Sequence, residues 1–305
     1  MSNAISNQDV EDILNTKFTI PVGANYDVEV LEKLMNFKVK DSDIYLIGHP
    51  KTGTTWAQEM IWLIANDLNF KEAEKFIDER FPVLELFSFD IGKSNPTIET
   101  PIYHTDPVKV IESQKGRRFI KTHLRWSYLP KEIQDGTKRP KVIYICRNVK
   151  DTCVSLYHYW KNILEIYSGT LEEFCKVFLA GRVGSGLYWN HVLQFWNKSK
   201  TESNILFIKY EDMKTNLFEV IRRVASFLDK SLDAEQVTTL IKRLDFDSMK
   251  NNPAVNHDNL YKKSGFMRKG KVGGFKEEMS ADMIRMFDIW TNECLEGSGL
   301  ENYYN

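Results

Sequence analysis

Residues 43–56, DIYLIGHPKTGTTW, constrain the fold more than any other part of this chain. Ile44, Leu46 and Ile47 make a short apolar run of high β-propensity, which predicts a buried strand. Gly48 and Gly53 bracket a tight loop stiffened by Pro50. Thr54 and Thr55 are good N-cap residues for a helix over 56–68. Trp56, Met60, Leu63 and Ile64 repeat at the i, i+4, i+7, i+8 spacing of one apolar helix face. A strand–loop–helix of this shape aims unpaired backbone N–H groups and the positive end of the helix dipole into the loop. An anion, most often phosphate, is the natural guest there.

The glycines stand as G-x-x-x-x-G, the spacing of a nucleotide phosphate loop, but Thr54 and Thr55 follow where that loop has Lys-Ser or Lys-Thr. The lysine is instead Lys51, inside the loop, which aims it at a different atom of the ligand than the β- and γ-phosphates of a triphosphate. ATP hydrolysis is therefore not the first reading. An ordinary tight turn remains open for this stretch taken alone.

Composition bounds the alternatives. With 305 residues and 42% hydrophobic content, the chain can bury one large core or two small ones. Strands alternating with helical stretches, and no Pro/Gly/Ser-rich linker, favour one domain over 41–296, with 1–40 an N-terminal segment and 297–305 a tail. A net charge of −1 argues against a nucleic-acid binder driven by bulk electrostatics. Cys146, Cys153, Cys175 and Cys294 show no CxxC spacing and no paired framework. Cys146 and Cys153 lie in apolar context, consistent with a reducing compartment. The first 20 residues have no apolar signal region, and no run approaches the roughly 18 apolar residues of a membrane span. The expectation is a soluble, cytoplasmic protein.

Further along, a short helix is expected at 28–36. The weakly periodic stretch 66–118, carrying Arg80-Phe81-Pro82, reads as an acceptor-pocket lid or as surface decoration. Residues 118–124 predict a second strand on which Lys121 and His123 project to the same side. A lysine so placed depresses protonation of the histidine and keeps it able to take a proton; a purely structural histidine is the alternative. Residues 142–146 predict a third strand buried on both faces. It ends in Arg147, and a helix follows from an Asp151 N-cap to about 167, with Ser155 near its first turn. That pair forms a second anion site, unless Arg147 is salt-bridged to a nearby acid. A fourth strand at 205–210 precedes helices at 216–228 and 234–243. The irregular stretch 262–275, with Arg268, Lys269 and Lys271 among glycines, is either a third phosphate contact or a solvated loop. A last helix is expected at 281–294. The pattern predicts an α/β, doubly wound fold with a mostly parallel central sheet, binding its ligand outside the carboxyl ends of the strands. Physical reasoning stops at an enzyme that handles a phosphorylated nucleotide with two separate anionic groups, using a histidine near a lysine.

Four stretches together resemble the cytosolic sulfotransferase family. His49-Pro-Lys-Thr-Gly-Thr-Thr-Trp56 is similar to its 5′-phosphosulfate loop, YPKSGTTW, and Ile120-Lys-Thr-His123 to its catalytic IKTH strand. Cys146-Arg-Asn with Asp151, Ser155, Tyr157 and His158 resembles the 3′-phosphate segment, and Phe266-Met-Arg-Lys-Gly270 the C-terminal RKG loop. The four lie in family order across roughly residues 40–295, and Gln58–Trp62 and Arg80–Pro82 are closest in style to arthropod and other invertebrate members. The resemblance implies sulfuryl transfer from 3′-phosphoadenosine 5′-phosphosulfate (PAPS) to a small hydroxyl- or amine-bearing acceptor, without a metal. It implies His123 as general base, Lys51 at the bridging oxygen of the leaving phosphate and Lys121 at the sulfuryl oxygens. Thr52, Gly53, Thr54 and Thr55 would hold the 5′-phosphate. Arg147, Ser155, Arg268, Lys269 and Gly270 would hold the 3′-phosphate, with Met267 beside them. Trp56 and Phe246 would sandwich the adenine, and Tyr210 would reach its edge.

The departures are specific. Leu244-Asp245 replaces the usual Thr-Ser before the adenine-stacking phenylalanine, and Asp245 is expected to point away from the phosphates. The family's RKGxxGDW becomes Arg268-Lys-Gly-Lys-Val-Gly-Gly-Phe275. The dimer motif KxxxTVxxxE falls on Lys276, Ser280, Ala281 and Arg285, losing its Thr, Val and Glu; a monomer, or a dimer through another surface, is expected. Leu124-Arg125 stands where Leu-Pro is usual. Phe81, Val83, Trp126 and Tyr159 are the candidate walls of an apolar acceptor pocket suited to phenols, steroids or other lipophilic alcohols. The rival readings are a small-molecule kinase with a modified phosphate loop, a PAPS-binding protein without turnover, and sulfation followed by elimination. Golgi carbohydrate sulfotransferases share the donor loop but usually carry a membrane anchor.

Overall fold

Four short runs rich in β-branched and aromatic residues form the strands β1 (Ile44–Ile47), β2 (Phe119–Thr122), β3 (Lys141–Cys146) and β4 (Ile205–Lys209). The computed structural model describes residues 6–19, 28–85, 101–257 and 266–301. All four strands pair in parallel in the order β2-β1-β3-β4. The chain leaves β1 toward one side and later returns to its other side as β3. The carboxyl end of β1 is therefore the topological switch point, the crevice where open α/β sheets bind ligands.

Both faces of the sheet are covered, so side chains alternate between two cores rather than between core and water. Tyr45, Ile47, Val142 and Tyr144 enter one core; Ile44, Leu46, Ile143 and Ile145 enter the other. The first is closed by α2 (Val149–His158), α3 (Tyr188–Ser199) and α5 (Ala281–Leu295), the second by α1 (Thr54–Ala65) and α4 (Leu217–Phe227). The doubly wound parallel sheet predicted from the sequence is thus present. Among the described residues no helix is long and apolar enough to cross a membrane.

Several local expectations need correction. Gly53, not Thr54 or Thr55, is the N-cap of α1; it sits at φ 93° and makes no side-chain cap. The helix is buried almost throughout rather than on one face, because the sheet covers one side and α4 the other. The N-cap of α2 is Asn148, whose side chain accepts from the amides of Lys150 and Asp151. Asp151 is thereby freed for another task, described below. The helix ends at His158 and continues as a π-helical turn, Tyr159–Ile163. The helices Asn7–Lys17, Leu171–Leu179 and α3 were not foreseen.

Candidate active site

The loop between β1 and α1 is shaped by close backbone approaches. A Cβ on Gly48 would lie 2.6 Å from the Ile145 carbonyl oxygen, and one on Gly53 would lie 2.5 Å from the Tyr210 ring. The hydroxyl of Thr52 donates to the His49 carbonyl (2.8 Å), so Thr52 stiffens the loop and is not among the cavity-lining residues, contrary to the phosphate contact expected of it. The first helical bond runs from the Ala57 amide to Gly53 O (3.1 Å), which leaves the amides of Thr54, Thr55 and Trp56 without an intrahelical partner. These residues, with Lys51, line a cavity of about 310 Å³ at the switch point.

Lys51 is itself at φ 69°, in the left-handed region. Its ammonium lies 3.9 Å from the Phe266 ring centre and 4.4 Å from that of Tyr159. Burial, then Lys121, Arg147 and Arg268, push it down to about 7. A lysine in this state is first of all desolvated, and the three cations beside it add to the effect.

His123 follows β2 and reaches the same cavity. Its Nδ1 lies 2.6 Å from the Gly48 carbonyl oxygen, which can only accept, so Nδ1 carries the proton and Nε2 the lone pair. Its amide donates to Glu85 Oε1 (2.6 Å), and Glu85 Oε2 accepts from the Thr122 hydroxyl (2.6 Å). The His123 carbonyl accepts from His191 Nε2 (3.0 Å), whose Nδ1 faces the Tyr144 hydroxyl (2.8 Å). Burial, then Lys121, push His123 down to about 3. The sequence reading credited Lys121 alone; burial is the larger cause. Lys121 donates to Gln58 Oε1 (3.1 Å) from the wall of the cavity.

Arg147, just past β3, lines the cavity with Ser155 of α2. It donates to the carbonyls of Lys51 (3.3 Å) and Lys271 (3.0 Å), lies 4.4 Å from the Tyr210 ring centre, and keeps a buried Nε with no partner. Among the described residues, no acid holds Arg147 in an ion pair. Asp151 accepts from the amides of Gly273 (2.7 Å) and Phe275 (3.0 Å), anchoring the arm that carries Met267, Arg268, Lys269 and Gly270 to the cavity. The side chains of that arm already have partners: Arg268 with Glu278 (2.5 Å) and Lys269 with Glu277 (2.8 Å). Gly270, at φ 60°, passes so close to Phe246 that a Cβ would lie 2.4 Å from its ring.

Trp56, Tyr210 and Phe246 all line the cavity, and the Trp56 indole N–H donates to the Leu244 carbonyl (2.8 Å). Asp245 caps the short helix Phe246–Lys250 by accepting from the amides of Asp247 and Ser248, outside the cavity lining. Of the four expected acceptor walls, Val83 and Tyr159 line the cavity. Phe81 does not: it is fully buried in the second core, 5.3 Å from the Phe119 ring. Trp126 does not either, packing on Phe195 (5.7 Å) with Lys198 over its ring. The apolar wall is supplied instead by Leu156, Trp160, Leu164 and Val183 with Tyr159 and Phe266. Sequence reasoning also missed Gln58, Glu85, His191 and the cluster of Asp78, His104 and His257, which carry no motif of their own. Among the described residues, no group of three or more His, Cys, Asp and Glu could hold a metal ion.

Residues 41–299 match the model of the sulfotransferase domain. The chain is 40% identical to the luciferin sulfotransferase of Photinus pyralis, over 91% of this chain and 78% of that protein. It is 34% identical to sulfotransferase 1B1 of Mus musculus, over 88% of each. Among solved structures, retinol dehydratase in complex with androsterone and the inactive cofactor PAP superimposes with a TM-score of 0.84 at 26% identity, over 96% of this chain and 95% of that one. A domain match over most of its length, joined to these identities, shows that the chain belongs to the sulfotransferase family and is a PAPS-dependent sulfotransferase.

Proposed function

We propose that this enzyme transfers the sulfuryl group of PAPS to a hydroxyl of a small lipophilic acceptor, with His123 as the general base. The observation that carries the reading is the state of His123: neutral, tautomer set by Gly48, and in one cavity with Lys51 and Lys121. The residues fit the donor. The free amides of Thr54, Thr55 and Trp56 and the Lys51 ammonium suit a 5′-phosphosulfate. The unpartnered Arg147 Nε, Ser155 and the 268–270 arm suit a 3′-phosphate, and Trp56 with Phe246 suits a purine. The donor supplies the electrophilic sulfur. His123 Nε2 takes the acceptor proton as the new S–O bond forms, Lys121 lowers the charge on the sulfuryl oxygens, and Lys51 neutralises the oxygen released on the donor phosphate. The apolar wall from Leu156 to Phe266 favours a lipophilic acceptor body, such as a phenol or steroid alcohol.

The test follows label from PAPS onto 4-ethylphenol and a steroid alcohol, with adenosine 3′,5′-bisphosphate (PAP) titrated calorimetrically in parallel. His123→Ala should lower kcat by roughly 10²–10⁴ while PAP affinity stays within about threefold. Retained turnover in that variant would remove His123 from the role of base. Mass analysis of the products also separates stable sulfation from elimination, the outcome that the likeness to a dehydratase raises.

A further inference from the structure

The cavity wall carries a buried polar cluster for which the transfer step has no use. Asp78, in the short helix Ile77–Arg80, is 3% exposed and lines the cavity with His104 and His257. Its Oδ2 lies 3.3 Å from His104 Nε2 and 3.7 Å from His257 Nδ1, while its Oδ1 is buried and meets no hydrogen-bond donor among the described residues. Burial works against the charge of Asp78, but His257, His104 and Lys121 outweigh it and hold the carboxyl well below the usual carboxylate range. Three segments distant in sequence converge to build this arrangement, and His257 adopts φ 57°, a conformation that side-chain-bearing residues rarely take. The cluster is not a metal site, since no group among the described residues could hold an ion. Nor is a counter-ion for Lys121 a sufficient account. Asp78 and, less strongly, Glu85 both support the charge of Lys121, whose Nζ donates to Gln58, but neither role engages the spare oxygen, which belongs to a residue of the cavity wall.

We propose that Asp78, flanked by His104 and His257, is a recognition station for the acceptor: its Oδ1 takes a hydrogen bond from a second O–H or N–H group of the molecule whose first hydroxyl reacts at His123. The proposal rests on the reading of this cavity as the acceptor site. It makes the acceptor an apolar body with two polar ends, for example a phenol bearing a hydroxyl or an amine on a short arm. The physical reason is asymmetric: a matched donor satisfies a buried carboxylate oxygen, and an acceptor without one leaves it unsatisfied.

The experiment compares 4-ethylphenol, 4-(2-hydroxyethyl)phenol and 4-(2-aminoethyl)phenol on wild type and Asp78→Asn. Rates of transfer from PAPS are measured together with equilibrium binding of each phenol to the PAP-loaded protein; PAP titration reports a folded donor site. In the variant the amide oxygen should face the His104 N–H and the amide N–H₂ the cavity, replacing an acceptor by a donor. Wild type should favour at least one two-donor phenol over 4-ethylphenol by about tenfold or more in kcat/KM, mainly through KM, and the variant should bring that ratio within about threefold. Equal use of the three phenols by wild type, or a preference that persists in the variant, overturns the station. If wild type transfers to none of them, the reading of the acceptor fails separately. The same ratio is then taken from binding, where equal affinities overturn the station.

Discussion

The loop between β1 and α1 and the arm from 266 to 278 both bring cations to one cavity, but they hold them differently. In the loop, Lys51 lies half-buried against two aromatic rings and among other cations, and Thr52 is engaged by His49. In the arm, Arg268 and Lys269 are about a third exposed and already paired with Glu278 and Glu277. The loop therefore meets an anion with positive charge in waiting. To hold a phosphate, the arm would have to exchange carboxylates for it, a trade between two similar charge-assisted bonds that gains little. The contrast teaches that number of cations is a poor guide to where binding energy arises; what each gives up matters more.

The largest effect expected from this contrast is on loop geometry. Gly53→Ala forces a Cβ at φ 93° into the Tyr210 ring and should weaken PAP binding by roughly 100-fold. Gly273→Ala in the arm, at φ 76° but with nothing within 4 Å, should cost less than about fivefold. Calorimetry on both variants decides, and equal losses would break the comparison.

Next comes protonation. Lys51 stands at about 7 in the free protein, and a bound phosphate must raise it. Its contribution to affinity is full below pH 7 and lost as pH rises through the raised, bound value. PAP affinity should thus fall by up to about tenfold per pH unit above 7, with proton uptake visible in buffers of different ionisation enthalpy. Lys51→Met should abolish the uptake; an unchanged uptake would assign it elsewhere.

Smaller effects belong to the arm. Arg268→Ala should weaken PAP by only about two- to fivefold, with a shallower salt dependence than wild type. Replacing Glu277 and Glu278 together by glutamine should tighten PAP by roughly two- to fivefold, because the cations no longer have carboxylate competitors. Unchanged affinity in the double variant would show that the exchange costs nothing. Least affected should be acceptor KM in Phe81→Ala, within about twofold, although a cavity in the second core should lower unfolding stability by about 3–5 kcal/mol. A raised KM without destabilisation would return Phe81 to the pocket wall.

The sequence by itself determined the parallel sheet and most of the charged lining of the cavity. Strand, loop and helix at 43–56 are written in local chemistry: an apolar β-branched run, two glycines at positions that admit no side chain, and a helix start. Lys51, Lys121, His123 and Arg147 were legible for the same reason, each standing at or just beyond a strand end where a short motif carries it to the switch point. The tertiary structure alone decided what depends on distant segments meeting. Phe81 and Val83 are two residues apart, yet one faces the core and the other the cavity: Phe81 still belongs to the end of the helix Ile77–Arg80, as its C-cap, and only 82–84 pair along β2. Asp151 holds the arm 122 residues away rather than capping its own helix. Asp78, His104 and His257 become a cluster only when three segments distant in sequence converge, and burial rather than any neighbour in sequence is what chiefly keeps His123 neutral. Local propensity can be read along a chain, whereas desolvation and long-range charge exist only once the chain has closed around them.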